Sequence, residues 1–83
     1  MSIQDEMGAR IRAALPDAEL SFTDLTGGGD HWEAVIVSDL FQGMSPIARQ
    51  RKVYAALGEL MAGPVHAFTM QTLTKEQAEK RNR

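Results

Sequence analysis

With 83 residues, 43% of them hydrophobic, the chain can form one domain with a single thin core. Its net charge of −2 gives no global attraction to nucleic acid, and its lack of cysteine excludes a disulfide, a thiolate nucleophile and an all-cysteine metal site. The first 15 residues lack the apolar run of a signal peptide, and no membrane-spanning stretch occurs. We expect one cytoplasmic domain over residues 1–83, with a flexible tail from about residue 78.

The N-terminal part of the chain predicts a helix followed by a β-hairpin. Apolar residues recur at helical spacing up to Pro16, and Leu20 and Phe22 then alternate with polar residues as in a half-buried strand. A second strand, from His31 to Ser38, is apolar on both faces and is therefore expected at the centre of the sheet. The glycines at 27–29 between these strands predict a hairpin turn, with a ligand cradle as the alternative.

The second half predicts a helix, a strand and a short final helix. Ser45 and Pro46 suit a helix start, and Gly63 with Pro64 suits its end. Its inner face is predicted to carry Ile47, Gln50, Tyr54, Leu57 and Met61, supported by Val53 and Leu60. Its second stripe contains mostly small residues, which predicts close packing against helix one or, alternatively, a partner: Arg51, Ala55, Gly58 and Ala62.

Several shorter features complete the predicted elements. Leu40 and Phe41, in the connection after strand two, are large apolar residues that are expected to dock. Residues 65–73 predict the third strand, and Thr74 with Gln77 has the spacing of a capping box. The expected order is therefore helix, strand, strand, helix, strand, helix.

The topology relates the two histidines of the chain. A helical crossover most simply joins parallel strands, so strands two and three should begin at the same end of the sheet. His31 and His66 would then share a rim, about 5 Å apart on adjacent strands or about 10 Å apart across an intervening strand. Two imidazoles leave a first-row metal short of ligands, so outside ligands would be needed. The alternative is that both histidines are structural.

Two further functions can be weighed from the residues. Arg49, Arg51 and Lys52 are candidate nucleic-acid contacts, although a solvated helix face is the simpler explanation of them. Ser38 and Asp39 suggest a hydrolytic set, but Ser38 lacks the Gly-x-Ser-x-Gly elbow and no histidine is placed beside it. We therefore expect a protein that is not an enzyme.

Residues 29–73 resemble the BolA family, and more closely its IbaG-type members. The similar segments are Gly-Asp-His-Trp-Glu at 29–33, Val-Ser-Asp-Leu-Phe-Gln-Gly-Met-Ser at 37–45, Arg-Lys-Val-Tyr at 51–54, Val-His-Ala-Phe at 65–68 and Gln-Thr-Leu-Thr at 71–74. This resemblance implies an α/β (α+β) fold of the class II K-homology-like type, in the order α-β-β-α-β-α with a three-stranded mixed sheet.

The resemblance also implies a partner and a cofactor. Family members pair with monothiol glutaredoxins and share a [2Fe–2S] cluster, for which the glutaredoxin supplies a cysteine and bound glutathione. The residue that matches the family's iron-binding histidine is His66, and the loop before strand two offers His31, with Asp30 as a weaker substitute. The free protein is expected to be a monomer or weak homodimer.

This sequence departs from the family pattern in the long helix, where Gln50 replaces a histidine of many members. Two functions remain after this comparison. The first is an iron–sulfur adaptor in cluster trafficking, maturation or iron regulation. The second is a nucleic-acid-binding transcriptional regulator that contacts DNA, although the chain has no Gly-x-x-Gly loop of the K-homology type.

Overall fold

The computed structural model describes residues 2–65 and 67–81, and its element order agrees with the sequence prediction. The elements are α1 (Ile3–Ala14), β1 (Glu19–Asp24), β2 (His31–Val37), α2 (Pro46–Leu57), β3 (Ala67–Leu73) and α3 (Lys75–Arg81), with short 3₁₀ turns at Asp39–Phe41 and Gly58–Leu60. The tail expected from about residue 78 is helical through Arg81. Within these residues, no helix is long and apolar enough to cross a membrane.

The sheet is mixed, and β2 is its central strand. β1 pairs antiparallel with β2 from Glu19 opposite Val37 to Asp24 opposite Trp32, and β3 pairs parallel with β2. The helix α2 makes the crossover between the parallel strands, as the long connection requires. The predicted three-stranded mixed sheet is confirmed.

The core lies between one face of the sheet and the helices α1 and α2. Alternate residues of the strands point into this core, and both helices contribute an apolar stripe. The strands supply Trp32, Ala34, Ile36 and Phe68, and the helical side supplies Met7, Ile11, Leu15, Val53 and Leu57. On the opposite face, Ser21, Glu33 and Thr69 are exposed. The arrangement leaves much of one sheet face open to solvent, since a three-helix, three-strand domain has little material to cover it.

The inner face of α2 differs from the sequence prediction. Ile47 is 61% exposed and Tyr54 is 41% exposed, whereas the buried positions of this helix are Arg49, Val53 and Leu57. Val53, Leu57 and Leu60 are buried as predicted, whereas Ile47, Gln50 and Tyr54 are exposed. The prediction failed at these three positions because it treated arginine as a surface residue and chose the stripe beside Arg49. The buried residues Arg49, Val53 and Leu57 are spaced four apart, as expected for one face of a helix, but the first of them is an arginine.

The helix α2 is also shorter than predicted. It ends at Leu57 because Gly58 adopts a left-handed φ of 53°, and a 3₁₀ turn follows before residues 61–64 form a turn. The Nη1 atom of Arg10 donates to the Leu57 carbonyl oxygen at 3.1 Å, so α1 closes this helix end. The predicted close packing of the small-residue stripe against helix one is wrong, because Arg51, Ala55, Gly58 and Ala62 are all exposed. Helix one reaches this region through the Arg10 side chain, and Gly58 terminates α2 instead of lying within it.

A hydrogen-bonded cluster centred on Asp17 ties the end of β2 to the end of α1. The Ser38 hydroxyl donates to Asp17 Oδ1 at 2.5 Å, and the Asp39 amide donates to Asp17 Oδ2 at 2.8 Å. These two hydrogen bonds lower the pKa of the Asp17 carboxyl, the Ser38 bond more than the Asp39 bond.

Of the two large apolar residues that follow this cluster, Phe41 is fully buried whereas Leu40 is 51% exposed. Only one of the two predicted apolar residues therefore docks.

The outer edge of β3 is covered by side chains of α2. In a parallel strand, every second residue directs its backbone N–H and C=O groups away from the neighbouring strand. In β3 the backbone groups of Phe68 and Thr72 point away from β2 in this way. The Tyr54 hydroxyl donates to the Phe68 carbonyl oxygen at 3.3 Å, and Arg49 Nη1 donates to that of Thr72 at 3.0 Å. Two outward carbonyl groups of this edge strand are therefore already bonded within the molecule.

Candidate functional site

The starts of β2 and β3 form one rim of the sheet. His31 and Ala67 are paired in register, and the Ala67 amide donates to the Asp30 carbonyl oxygen at 3.1 Å. The two strands are adjacent, which corresponds to the shorter of the two predicted spacings. His66, the predicted principal iron ligand, lies outside the described residues, so its approach to His31 stays a prediction.

Two potential metal-binding side chains of the described residues lie at this rim. The side chains of His31 and Asp30 are 44% and 40% exposed, and His31 Nε2 lies 3.6 Å from Asp30 Oδ2. This distance is too long for a hydrogen bond. The other carboxylate oxygen, Asp30 Oδ1, accepts a hydrogen bond from the Thr26 hydroxyl at 3.1 Å. An imidazole and a carboxylate are therefore both accessible to a metal brought by a partner.

The loop that carries these residues is organised by Asp24, which sequence reasoning did not single out. Asp24 Oδ1 accepts from the amides of Thr26 at 3.3 Å and Gly27 at 3.0 Å, and Oδ2 accepts from the Gly29 amide at 2.9 Å. The signal that could have identified it is an aspartate placed directly before a glycine-rich turn, where its carboxylate can bond to following amides.

The glycines are therefore turn residues and not a ligand cradle. Gly27 and Gly29 have φ values of 79° and 77°, a conformation that side chains other than glycine rarely adopt. Their amides already donate to Asp24, so these donors are not available to an external anion. The preferred sequence interpretation, a hairpin turn, is confirmed.

The donors at the rim suit part of a metal site and not a complete one. Within residues 2–65 and 67–81, no group of three or more histidine, aspartate or glutamate side chains could hold a metal ion, and the sequence contains no cysteine. A cluster iron bound here would need thiolates from another molecule. Such a shared arrangement fits the rim, whereas an iron–sulfur cluster held by this chain alone does not.

The structure corrects the prediction that Arg49 is a nucleic-acid contact. Arg49 is only 9% exposed, and its guanidinium donates to the Met44 carbonyl oxygen, the Thr72 carbonyl oxygen and Gln77 Oε1 at 2.8–3.1 Å. It also lies over the Phe41 ring, with 5.5 Å between Cζ and the ring centroid. These contacts occupy the guanidinium inside the fold. Arg51 and Lys52 are exposed on α2 and remain candidates for phosphate contact.

The Ser38 and Asp39 pair has a structural role in this fold. Ser38 is fully buried, its hydroxyl donates to Asp17, and it accepts the Leu40 amide at 3.1 Å. Asp39 Oδ1 accepts the Lys75 amide at 3.1 Å at the start of α3. These bonds join the end of β2 to two helices, and they leave no free hydroxyl aimed at a substrate.

A shallow depression of about 250 Å³ lies at the other end of the sheet from His31. It is lined by apolar and polar residues: Val35, Val37, Leu73 and Ala78 with Glu19, Ser21 and Arg81. None of the described residues that line it is a histidine. The rim at His31 is therefore the better candidate for metal chemistry.

Comparison with known proteins supports one family. The model of the BolA-like protein family matches residues 13–77. BolA-like protein 1 of Mus musculus is 35% identical over 82 residues, which cover 90% of this chain and 60% of the mouse protein. The DNA-binding transcriptional regulator BolA of Escherichia coli is 30% identical over 86 residues, which cover 95% of this chain and 82% of that protein.

A solved structure shows the same architecture along the whole chain. The crystal structure of a Bol-like protein from Babesia bovis superimposes with a TM-score of 0.84 at 37% identity, covering 100% of this chain and 96% of that one. The chain spans less than two thirds of the length of the mammalian BolA-like protein 1 relatives. The similarity therefore establishes the shared domain and its fold.

Proposed function

This chain belongs to the BolA family, and we propose that it acts as an iron–sulfur adaptor. In this proposal it forms a heterodimer with a monothiol glutaredoxin, and the two proteins share a [2Fe–2S] cluster. The cluster would be received, held or handed on in trafficking, maturation or iron regulation. The chain itself would contribute ligands and a docking surface and no catalytic group.

The observation that carries the proposal is the register pairing of His31 with Ala67. It places an exposed imidazole beside the start of β3, and Ala67 follows His66 in the sequence. We propose His66 and His31 as the two protein ligands of one iron, with Asp30 as a weaker substitute for His31.

The ligand chemistry supports sharing with a partner. A [2Fe–2S] cluster needs four protein or cofactor ligands, and this chain has no thiolate to offer. The glutaredoxin cysteine and its bound glutathione would supply the thiolates. Replacing anionic thiolates by neutral imidazoles raises the reduction potential, as in Rieske centres. The heterodimer should therefore have a less negative potential than the glutaredoxin homodimer.

Reconstitution with purified proteins tests the proposal. The chain is mixed with a monothiol glutaredoxin, iron, sulfide and glutathione, and visible circular dichroism is recorded together with the mass of the complex. We expect a heterodimer whose spectrum differs from that of the glutaredoxin homodimer. A mixture containing only the homodimer and free chain would reject the adaptor function.

Variants of the rim test the ligand assignment separately. His66→Ala and His31→Ala should each change the visible spectrum, and Asp30→Ala should change it less if His31 is the ligand. Glu33→Ala is a suitable control because it removes an exposed carboxylate on the same strand. An unchanged spectrum with His66→Ala would reject His66 as a ligand even if the heterodimer forms.

The second candidate function is nucleic-acid binding by a transcriptional regulator. It is favoured by the similarity to the Escherichia coli relative, a DNA-binding transcriptional regulator by name, and by the exposed Arg51 and Lys52. With two phosphate contacts, the logarithm of the duplex affinity should fall with the logarithm of salt concentration with a slope of about −2. A mobility-shift titration at about 50 mM salt, where electrostatic binding is strong, tests it. No shift, or a shift that persists in an Arg51→Ala, Lys52→Ala double variant, would reject this surface.

A further inference from the structure

The loop between β1 and β2, residues 25–30, is held in place by the Asp24 carboxylate, which accepts three of its backbone amides. We propose that Asp24 is a positioning residue, which fixes this loop so that Asp30 and His31 are presented to the incoming cluster. This inference rests on the proposed adaptor function and adds to it a residue that is not itself a ligand.

The geometry shows that Asp24 is committed to the loop. Both of its carboxylate oxygens accept backbone amides, two at Oδ1 and one at Oδ2, over distances of 2.9–3.3 Å. Hydrogen bonds from amides to a carboxylate are stronger than those between neutral groups. Because these bonds span residues 26–29, one side chain determines the path of the loop up to the residue before Asp30.

The loop is also fixed at its far end. The Trp32 indole donates from Nε1 to the Gly29 carbonyl oxygen at 2.9 Å, and Trp32 itself is buried in the core. The Asp30 carbonyl oxygen accepts the Ala67 amide, and the Leu25 amide donates to the His31 carbonyl oxygen at 2.9 Å. Asp24 therefore holds residues 26–29 of the loop by hydrogen bonds, and residues 29 and 30 are in addition bonded to the sheet.

The need for such an attachment follows from the loop composition. Three consecutive glycines have more accessible conformations than any other residues, and ordering them is entropically costly. If the loop were free, this cost would be added when His31 binds iron. With Asp24 in place, the loop is ordered before the cluster arrives, and preorganisation of this kind increases affinity.

The expected effect is on retention of the cluster and not on the fold. Asp24→Ala removes both acceptor oxygens and with them all three hydrogen bonds, and loss of groups that support metal ligands typically costs about 10-fold to 100-fold in metal affinity. Asp24→Asn keeps Oδ1 as an acceptor for Thr26 and Gly27 and loses the Gly29 bond, so it should lie between wild type and Asp24→Ala. Glu19→Gln is the matched control because it removes a carboxylate at the opposite end of the same strand.

Two readouts on the full chain test the proposal. In the free protein, amide hydrogen exchange of Gly27 and Gly29 should be about 10-fold faster in Asp24→Ala, while core amides of β2 keep their protection. In the reconstituted heterodimer with a monothiol glutaredoxin, transfer of iron to a chelator, followed by visible circular dichroism, should be about 10-fold faster. Glu19→Gln should match wild type in both.

The outcomes separate this inference from the adaptor function. If the wild-type chain assembles the shared cluster and Asp24→Ala releases it at the wild-type rate, the positioning role is wrong and the adaptor function stands. If wild type assembles no shared cluster, both are wrong. If Asp24→Ala fails to fold, the comparison rests on Asp24→Asn, for which wild-type exchange at Gly29 and wild-type cluster release would overturn the inference.

Discussion

Replacing Arg49 by lysine tests whether its guanidinium is a structural group. The guanidinium donates to three acceptors from three different segments: Met44, Thr72 and Gln77. Lysine keeps the positive charge but has one nitrogen, which cannot occupy the positions of both Nε and Nη1. A solvated phosphate contact would tolerate this exchange without loss of stability, whereas a buried network would not.

The magnitude follows from the number of bonds lost. Each hydrogen bond to a charged group contributes about 1.5–3 kcal/mol, and lysine can retain at most part of the set, so we expect a loss of about 2–4 kcal/mol. A domain of 83 residues has a total free energy of unfolding of about 4–12 kcal/mol. Since each 1 kcal/mol corresponds to about 4–8 °C for a domain of this size, Tm should fall by at least about 8 °C.

Urea unfolding followed by the fluorescence of Trp32, the single tryptophan, measures this loss. Trp32 is buried, so its emission should report global unfolding. Arg51→Lys is the control, because Arg51 lies on the same helix but is exposed, and it should change stability by less than about 0.5 kcal/mol. Equal stabilities of Arg49→Lys and Arg51→Lys would refute the structural assignment.

Three further predictions concern stability. The pKa of Asp17 is lowered chiefly by the hydrogen bond from Ser38, so its stabilising effect is present above the unfolded pKa of about 3.9. This effect is lost as the pH falls through the lower folded pKa. The difference in stability between wild type and Asp17→Asn should therefore shrink on acidification, and the acid unfolding curves of the two proteins should converge. Gly29→Ala should cost about 1–2 kcal/mol in urea unfolding through backbone strain alone, since no atom lies within 4 Å of an added Cβ. Phe41→Ala should cost about 3–5 kcal/mol and Leu40→Ala less than about 1 kcal/mol, and equal losses would contradict the burial difference.

The element order and sheet topology could be predicted from the sequence because they depend on periodicity and connection length. The two-residue alternation around Phe22 and the long crossover after β2 leave few other arrangements. The face of α2 could not be predicted in the same way. Hydrophobicity identified Ile47 and Tyr54 as core residues, whereas the fold buries Arg49. Two of its three acceptors, on Thr72 and Gln77, lie far from it in the sequence.

The candidate site was predictable as a rim and less so in its details. Parallel pairing correctly placed His31 on the same rim as the start of β3, because parallel strands begin at the same end of a sheet. The choice between adjacent strands and strands separated by a third one needed the structure. The supporting contacts of Asp24 and Asp17 were missed, since a carboxylate that satisfies backbone amides looks like any other surface acid in a sequence. Such roles depend on the path of a loop, which the glycines at 27–29 permit but do not specify.

The covered edge of β3 has a consequence for the behaviour of the protein in concentrated solution. A bare edge strand offers its backbone to any other extended chain and so promotes strand-to-strand association between copies. In this molecule the carbonyl groups of Phe68 and Thr72 are already bonded to Tyr54 and Arg49. Any chain that pairs along β3 must first displace two side chains of α2, so this edge resists the association that leads to aggregation.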